Sequence, residues 1–507
     1  MKKKWNGLII LIVGTIFACV LLTFIIVKIC VYRHDMKSST REPVEVLFDN
    51  AYIVSQDNGK ITILYHGMVN TFIGEAEADC VGVADIKVKN GKITEIISKK
   101  QTDNGNLIKY KKGIMYVEKE NGKTMELEYV SEFPVYSFTP GEVKQISTND
   151  LVLGASQLEY VIANGKVCAL IQRETSSFEN IRVLMKHGDE VYYEQKVHIE
   201  KDGEESYIAD EEGKRLTRNC IGTLEVLEEE KGYVVVNTLP VEDYVRYVTP
   251  SEMPANWDLE ALKAQAVCAR TYAYAQMKND EYAAFGANLD NTVSYQVYNN
   301  TELTEATDRA AEETKYQVLA NNNHLITCYF FSTCAGKTNT MEVWDSQNPD
   351  FIHSVESKDE SSSLYEWDAV LDLTVEDSNK LGEIKNIKIQ NRNSGGYITE
   401  LIIEYEKGIR SYKSEYKIRS ILAEHMISLF DGSGRDLKDW TLLPSAAFDC
   451  EEKEDGTLAV SGSGYGHGIG LSQQGAGDMA KAGATYEEIL KYYYANVELI
   501  DIRQLFK

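Results

Sequence analysis

Beyond its first 41 residues this chain is short of positive charge. Its 507 residues include 53 Lys and Arg against 78 Asp and Glu, a formal charge of −25. Seven basic residues and a single acid, Asp35, fall in residues 1–41, which leaves residues 42–507 at −31. So acidic a body excludes nucleic acid, or any other polyanion, as a partner held by bulk field. Cysteine is sparse and scattered. Cys80, Cys168, Cys220, Cys268, Cys328, Cys334 and Cys450 follow the first 41 residues, an odd set without repeating spacing. A small disulfide-framed fold is therefore excluded. Cys328 and Cys334, with His324 nearby, fall short of the four-ligand spacing of a structural zinc site, so no metal is expected, and no cofactor. With 43% hydrophobic and 10% aromatic residues the chain is not disordered, and its length allows two to four domains.

Leu8 to Val27 carries no charge, and its twenty residues span about 30 Å as a helix, matching a bilayer core. Lys2, Lys3 and Lys4 precede it, so the positive-inside rule leaves residues 1–7 in the cytoplasm and exports the rest. The apolar run is too long for a signal peptide, and no small-residue cleavage site follows Val27. The sequence thus predicts an uncleaved anchor, single-pass in the cell membrane, with an extracytoplasmic body. Residues 28–44 are polar and charged, a short tether. Thirty-one tyrosines against fourteen phenylalanines fit a wet surface of the carbohydrate-facing kind.

Between 45 and 175 strand-like runs are broken by a recurring turn. Asn58-Gly59, Asn90-Gly91, Asn121-Gly122 and Asn164-Gly165, each followed by Lys, sit between β-branched stretches. Asn-Gly supplies the positive φ angles of tight turns, so four hairpins and an all-β accessory region are predicted. Strands continue at 181–185, 222–226 and 234–237. A helix is predicted from Asp258 to Met277, where Leu259, Leu262, Ala266, Ala269 and Ala273 form one apolar stripe. Residues 301–319 and 475–493 also read as helices, and 384–405 as a hairpin. Without a βαβ rhythm the fold class is α+β: one N-terminal transmembrane helix, a β-rich region over 45–175, and a strand-rich domain with interspersed helices over 180–501.

Two segments carry candidate chemistry. In Pro250-Ser251-Glu252-Met253-Pro254, Glu252 sits between prolines on what reads as a stiff loop, close to the N-terminus of the following helix. Lys263 and Arg270, seven residues apart, project from one face of that helix. A carboxyl group beside two cations is either an acid–base centre with anion-binding neighbours or a helix-start carboxylate on a solvated basic face. The second segment, Gly462 to Gly470, places five glycines around His467. Such a loop lets backbone approach a ligand closely. It lacks the Lys-Ser/Thr ending of a phosphate loop and the spacing of a nucleophile elbow, which argues against a nucleotide site and a serine hydrolase. His467 is equally readable as ligand-facing or as a core histidine.

Leu239-Pro240 with Glu242-Asp243-Tyr244, then Pro250 to Pro254, Leu262-Lys263-Ala264-Gln265-Ala266, Ala269-Arg270-Thr271-Tyr272 and Gly464 to Gln473 together resemble the stage II sporulation protein D family, also called SpoIID/LytB. Phe331-Ser332-Thr333, Leu443 to Phe448 and Tyr486 to Tyr493 add further matches, so the resemblance covers about residues 180–501. It implies a peptidoglycan lytic transglycosylase, which cleaves MurNAc–GlcNAc bonds of peptide-stripped glycan strands and leaves 1,6-anhydro-MurNAc ends. The family's catalytic glutamate falls on Glu252. Lys263, Arg270, Ser332, Thr333, His467, Ser472 and Gln473 fall on positions lining its cleft. Phe331 stands where family members usually carry His, and Ser294-Tyr295 where some carry a His-Cys pair associated with a metal.

One carboxylic acid suffices for this chemistry, because it can protonate the leaving oxygen while the sugar's own 6-hydroxyl acts as nucleophile. Lys263 or Arg270 is expected to hold the lactyl carboxylate of peptide-free MurNAc, in which case Arg270→Ala weakens glycan binding more than stability. The expected partners are glycan strands, the membrane through 8–27, and a wall amidase or other sporulation proteins. The setting is engulfment or vegetative wall remodelling. Alternatives are a non-catalytic glycan-binding modifier, a scaffold built on 45–175, and a simple hydrolase.

Overall fold

A computed structural model describes residues 44–75, 81–139, 142–154, 157–173 and 179–505. The anchor expected at Leu8–Val27 lies outside them, and among the described residues no helix is long and apolar enough to cross a membrane. The chain divides into two compact units, residues 1–99 and 100–507.

In the first unit, strands Glu45–Asp57, Lys60–Tyr65, Met68–Ile73, Gly82–Lys89 and Lys92–Ser98 close into a small barrel. Alternate residues fill it: Ile53, Ile61, Ile63, Ala84 and Ile86 are buried together, as the period of two requires. The turns behave as the sequence predicts. Asp57 pairs with Lys60 across Asn58-Gly59, and Lys89 with Lys92 across Asn90-Gly91. Both residues of each turn have positive φ.

The second unit opens with a seven-stranded sheet whose centre is formed by Gln101–Lys111, Gln157–Ala163 and Lys166–Gln172. Asn164-Gly165 makes another two-residue turn between Ala163 and Lys166. Asn121-Gly122 differs. It lies in a five-residue loop closed by the Glu118–Thr124 pair, where only Gly122 has positive φ. Lys109 and Lys111 of this sheet both reach Glu229 at 3.2 Å. Glu229 belongs to the strand Thr223–Glu229, part of the sheet that leads into the helical region.

Among the described residues six α-helices follow: α1 (Val241–Glu252), α2 (Leu259–Gln276), α3 (Glu305–Glu313), α4 (Glu415–Ala423), α5 (Gln473–Lys481) and α6 (Tyr486–Tyr493). Strands dominate and the helices are interspersed, so the fold is α+β. Two expected helices are shorter than predicted. Residues 301–319 hold α3 followed by the strand Gln317–Asn321, and 475–493 is split at Gly483, whose positive φ ends α5. The hairpin at 384–405 forms from Ile384–Arg392 and Ile398–Tyr405.

Helix α2 departs from the expected amphipathic pattern. Its residues from Ala264 through Tyr274 are all buried, and α1, α3, α5 and α6 pack around it. Ala266, Ala269 and Ala273 join one core and Ala261, Ala264 and Val267 another. Small side chains let neighbours approach from every side, so this helix takes the centre of the domain with its polar Gln265, Arg270 and Thr271 buried too.

Candidate active site

Glu252 is the last residue of α1, which corrects its expected place on a loop at the N-terminus of α2. Pro250 lies inside the last turn of α1, and Met253 adopts the extended conformation that Pro254 demands. The carboxyl group thus sits at a helix C-terminus, where the dipole disfavours negative charge. One oxygen, Oε1, accepts the main-chain N–H of Val297 at 2.6 Å, and Oε2 accepts from Nε2 of Gln473 at 3.4 Å. Burial dominates and raises its pKa to about 7, although both hydrogen bonds favour the ionised form.

Glu252 opens into a cleft of about 740 Å³. Tyr272, Tyr295, Tyr329, Phe331, Trp344, Trp440 and Tyr465 line it, with the Tyr329 ring edge-on to Trp344 at 5.0 Å. The Trp440 and Tyr465 rings lie 4.8 Å apart, tilted at 45°. Trp344 lies 5.1 Å from the His467 ring, and its Nε1 donates to Glu415 at 3.5 Å. Glu415 and Arg419, one turn apart on α4, form a buried ion pair at 2.9 Å in the cleft wall. Aromatic faces with polar edges suit a sugar ring, which presents C–H patches and hydroxyls.

The candidate residues separate into two groups. Glu252, Ser332, His467 and Gln473 meet at the cleft. His467 Nδ1 accepts the Ile469 N–H at 3.0 Å, which leaves the ring proton on Nε2, and burial lowers its pKa to about 4. At neutral pH it is an uncharged wall group. Gln473 is the first residue of α5, capped by Ser472, whose hydroxyl accepts the Gly475 N–H at 3.3 Å.

Lys263, Arg270, Thr333 and Ser472 do not line the cleft. Lys263 lies between Glu260 at 2.9 Å and Glu313 at 2.7 Å. Arg270 is 0% exposed, and its guanidinium grips Glu242 at 2.8 Å and donates to the Ala311 carbonyl at 3.1 Å. The shared basic face expected of α2 is therefore corrected: one cation is tied to α3 and the other is locked in the core. Thr333 is buried against Ser362 at 2.9 Å, and Ser472 bonds Asp359.

The glycine-rich loop also differs from expectation. Gly470 has φ +80°, and a Cβ there would stand 2.0 Å from the Tyr329 carbonyl oxygen; at Gly464 it would stand 2.7 Å from that of Thr333. These glycines let the loop press against residues 329–335, and of the loop's glycines only Gly466 joins the cleft lining. Cys328 and Cys334 lie in the core, and His324 is exposed with Nδ1 on the Asn322 carbonyl at 2.8 Å. Among the described residues no cluster of His, Cys, Asp or Glu forms a metal site.

Sequence reasoning missed Val297, which acts through its main chain, and the pair Glu415–Arg419 with Trp344 and Trp440. The i, i+4 spacing of Glu415 and Arg419 was their one available signal. Tyr272 and Tyr465 lie inside motifs already recognised.

Comparison with known proteins adds to this geometry. The stage II sporulation protein (SpoIID) family profile matches residues 229–320, which include Glu252 and α2. Stage II sporulation protein D of Bacillus subtilis is 34% identical over 281 residues, covering 52% of this chain and 75% of that protein. An uncharacterized protein of Brachyspira hyodysenteriae is 31% identical over 291 residues, 56% of this chain and 73% of its own length. The amidase enhancer of Bacillus subtilis is 32% identical over 286 residues, half of this chain but 39% of that protein.

Proposed function

The chain belongs to the stage II sporulation protein D family, and on that premise we propose that it is a membrane-anchored lytic transglycosylase of peptidoglycan. The observation that carries the proposal is Glu252: a buried carboxyl group with a pKa of about 7, at the floor of an aromatic-walled cleft. Half the Glu252 population is protonated near neutral pH, where a general acid is most effective.

In the proposed reaction, protonated Glu252 delivers its proton to the glycosidic oxygen as the bond to C1 of MurNAc breaks. The resulting carboxylate then takes the proton of the MurNAc 6-hydroxyl as that oxygen bonds to C1. The product is a 1,6-anhydro end, and no water is consumed. The Val297 N–H and the Gln473 amide favour the ionised form, and so support the second half of the cycle. Of the other carboxylates lining the cleft, Glu415 is committed to Arg419 and Asp439 is exposed to solvent, so Glu252 is the buried, unpaired carboxyl group that the mechanism asks to serve as both acid and base.

Residues 180–501 are proposed as the catalytic domain, 45–175 as an accessory region, and Leu8–Val27 as the anchor that exports both. Glycan strands stripped of peptides are the proposed substrate. A wall amidase is the proposed partner that supplies them, during sporulation or wall remodelling. A non-catalytic role as a modifier of such an amidase is favoured by one observation, the similarity to the amidase enhancer. Incubation of peptide-free glycan strands with wild type and Glu252→Gln separates the two: turnover lost in the variant supports the enzyme, and binding without turnover in both supports the modifier.

A further inference from the structure

Asp359 lies away from the cleft lining, 0% exposed, and belongs to none of the motifs above. Three donors converge on its carboxylate. Oδ2 accepts the Cys334 N–H at 2.6 Å and the Ser472 hydroxyl, and Oδ1 accepts the Ser357 hydroxyl at 2.7 Å. Two of these donors belong to neighbouring segments, which pair in parallel at Phe331 and Ser472. Cys334 follows Ser332, which lines the cleft, and Ser472 caps α5, whose first residue is Gln473. The same two segments are joined again where Gln474 N–H donates to the Ser332 carbonyl at 3.0 Å. A carboxylate without hydration persists in a core only when its donors are fixed, so a shift of either segment leaves charge unpaired.

We infer that Asp359 is a positioning residue for the cleft acid: by clamping Ser472 and Cys334 on one oxygen it fixes the start of α5 and, through Gln473, the hydrogen bond on Glu252. The inference rests on the proposed role of Glu252, but its test does not require turnover. Burial raises the Asp359 pKa against the pull of its three donors. Asp478, Cys334, Tyr365, Tyr397 and Tyr493 are the titratable groups facing it, and Tyr244 and Tyr272 are those facing Glu252. The tyrosines and Cys334 have pKa values raised by burial and stay neutral through the range of interest. Glu415, Arg419, Asp439 and His467 line the same cleft, and the variants below leave all four in place.

The experiment is a carboxyl ¹³C NMR titration of the full chain, with Glu252→Gln assigning the Glu252 resonance. Gln473→Leu removes the amide from Glu252 and should move its titration upward by about half a pH unit. Asp359→Asn is expected to move it in the same direction and by a similar amount. Ser357→Ala removes a donor from the same carboxylate and leaves the Ser472 and Cys334 bonds in place; it should lower Tm yet leave Glu252 titrating as in wild type. Should Asp359→Asn fail to fold, Ser472→Ala breaks the clamp together with the α5 cap and is expected to give the upward shift. A wild-type Glu252 titration in the folded Asp359→Asn protein, or in Ser472→Ala, beside a shifted Gln473→Leu, overturns the inference. Absence of glycan cleavage in wild type bears on the proposed function and leaves this result intact.

Discussion

The main-chain N–H of Val297 donates to Oε1 of Glu252 at 2.6 Å, so the end of one helix is held by a loop 45 residues further along the chain. The bond orients the carboxyl group while burial keeps its pKa near neutrality. Acid strength and aim are thereby set by different parts of the fold, and each can be perturbed separately.

The pH dependence of activity follows from the burial of Glu252. The proton donor is the protonated form, so cleavage should fall as pH rises through about 7. A pH–rate profile of kcat/KM on peptide-free glycan checks this. A descending limb below pH 5 would show that the group is not held neutral.

The same shift predicts a change in stability. The folded-state pKa, about 7, lies above the ordinary value of 4.5, so the native state binds a proton the unfolded state has lost between those values. Stability from this group is therefore full below pH 4.5, declines as pH rises, and its loss is complete above pH 7. Glu252→Gln should raise stability at pH 8 by up to about 3 kcal/mol and leave it almost unchanged at pH 4.5. Calorimetric Tm at the two pH values reads the difference.

Arg270→Ala should unfold the domain before it affects glycan binding. The substitution removes a fully buried guanidinium, leaves Glu242 without its cation, and takes one donor from the Ala311 carbonyl. A loss of about 3–5 kcal/mol is expected, read as a fall in denaturation midpoint. This reverses the expectation that Lys263 or Arg270 holds the lactyl carboxylate of the substrate. Undiminished stability together with weaker glycan binding would restore it.

Gly470→Ala should be among the most disruptive changes in the glycine-rich loop. Its Cβ would meet the Tyr329 carbonyl oxygen at 2.0 Å in a left-handed backbone conformation. Backbone cannot yield as a flexible side chain does, so a loss of at least about 2 kcal/mol is expected. Gly396→Ala, with positive φ but open space around it, is the comparison that isolates the steric part.

Trp440→Ala tests the aromatic wall. Removing one of two facing rings should raise KM for glycan strands about tenfold with little change in kcat, because stacking holds substrate and transition state alike. An unchanged KM would place the sugar elsewhere in the cleft.

What is legible in the sequence is local. Asn-Gly turns encode their own backbone angles, so the residues alone announce the barrel hairpins and the Asn164-Gly165 turn, and motif order points to Glu252. Three features depend on tertiary packing. Pro250 reads as a helix breaker, yet α1 runs through it to Glu252. The alanines of α2 look like one stripe, but neighbours on all sides bury the helix and Arg270 with it. Glu415, Arg419 and Trp440 reach the cleft from segments more than 160 residues beyond Glu252, and no local spacing announces such an approach.

The central claim is that Glu252 drives glycan cleavage without water. Peptide-free glycan strands digested by wild type and analysed by mass spectrometry should yield 1,6-anhydro-MurNAc ends, and Glu252→Gln, folded by its Tm, should yield none. Products about 18 Da heavier would instead identify a hydrolase, and anhydro ends released equally by both proteins would contradict the role assigned to Glu252.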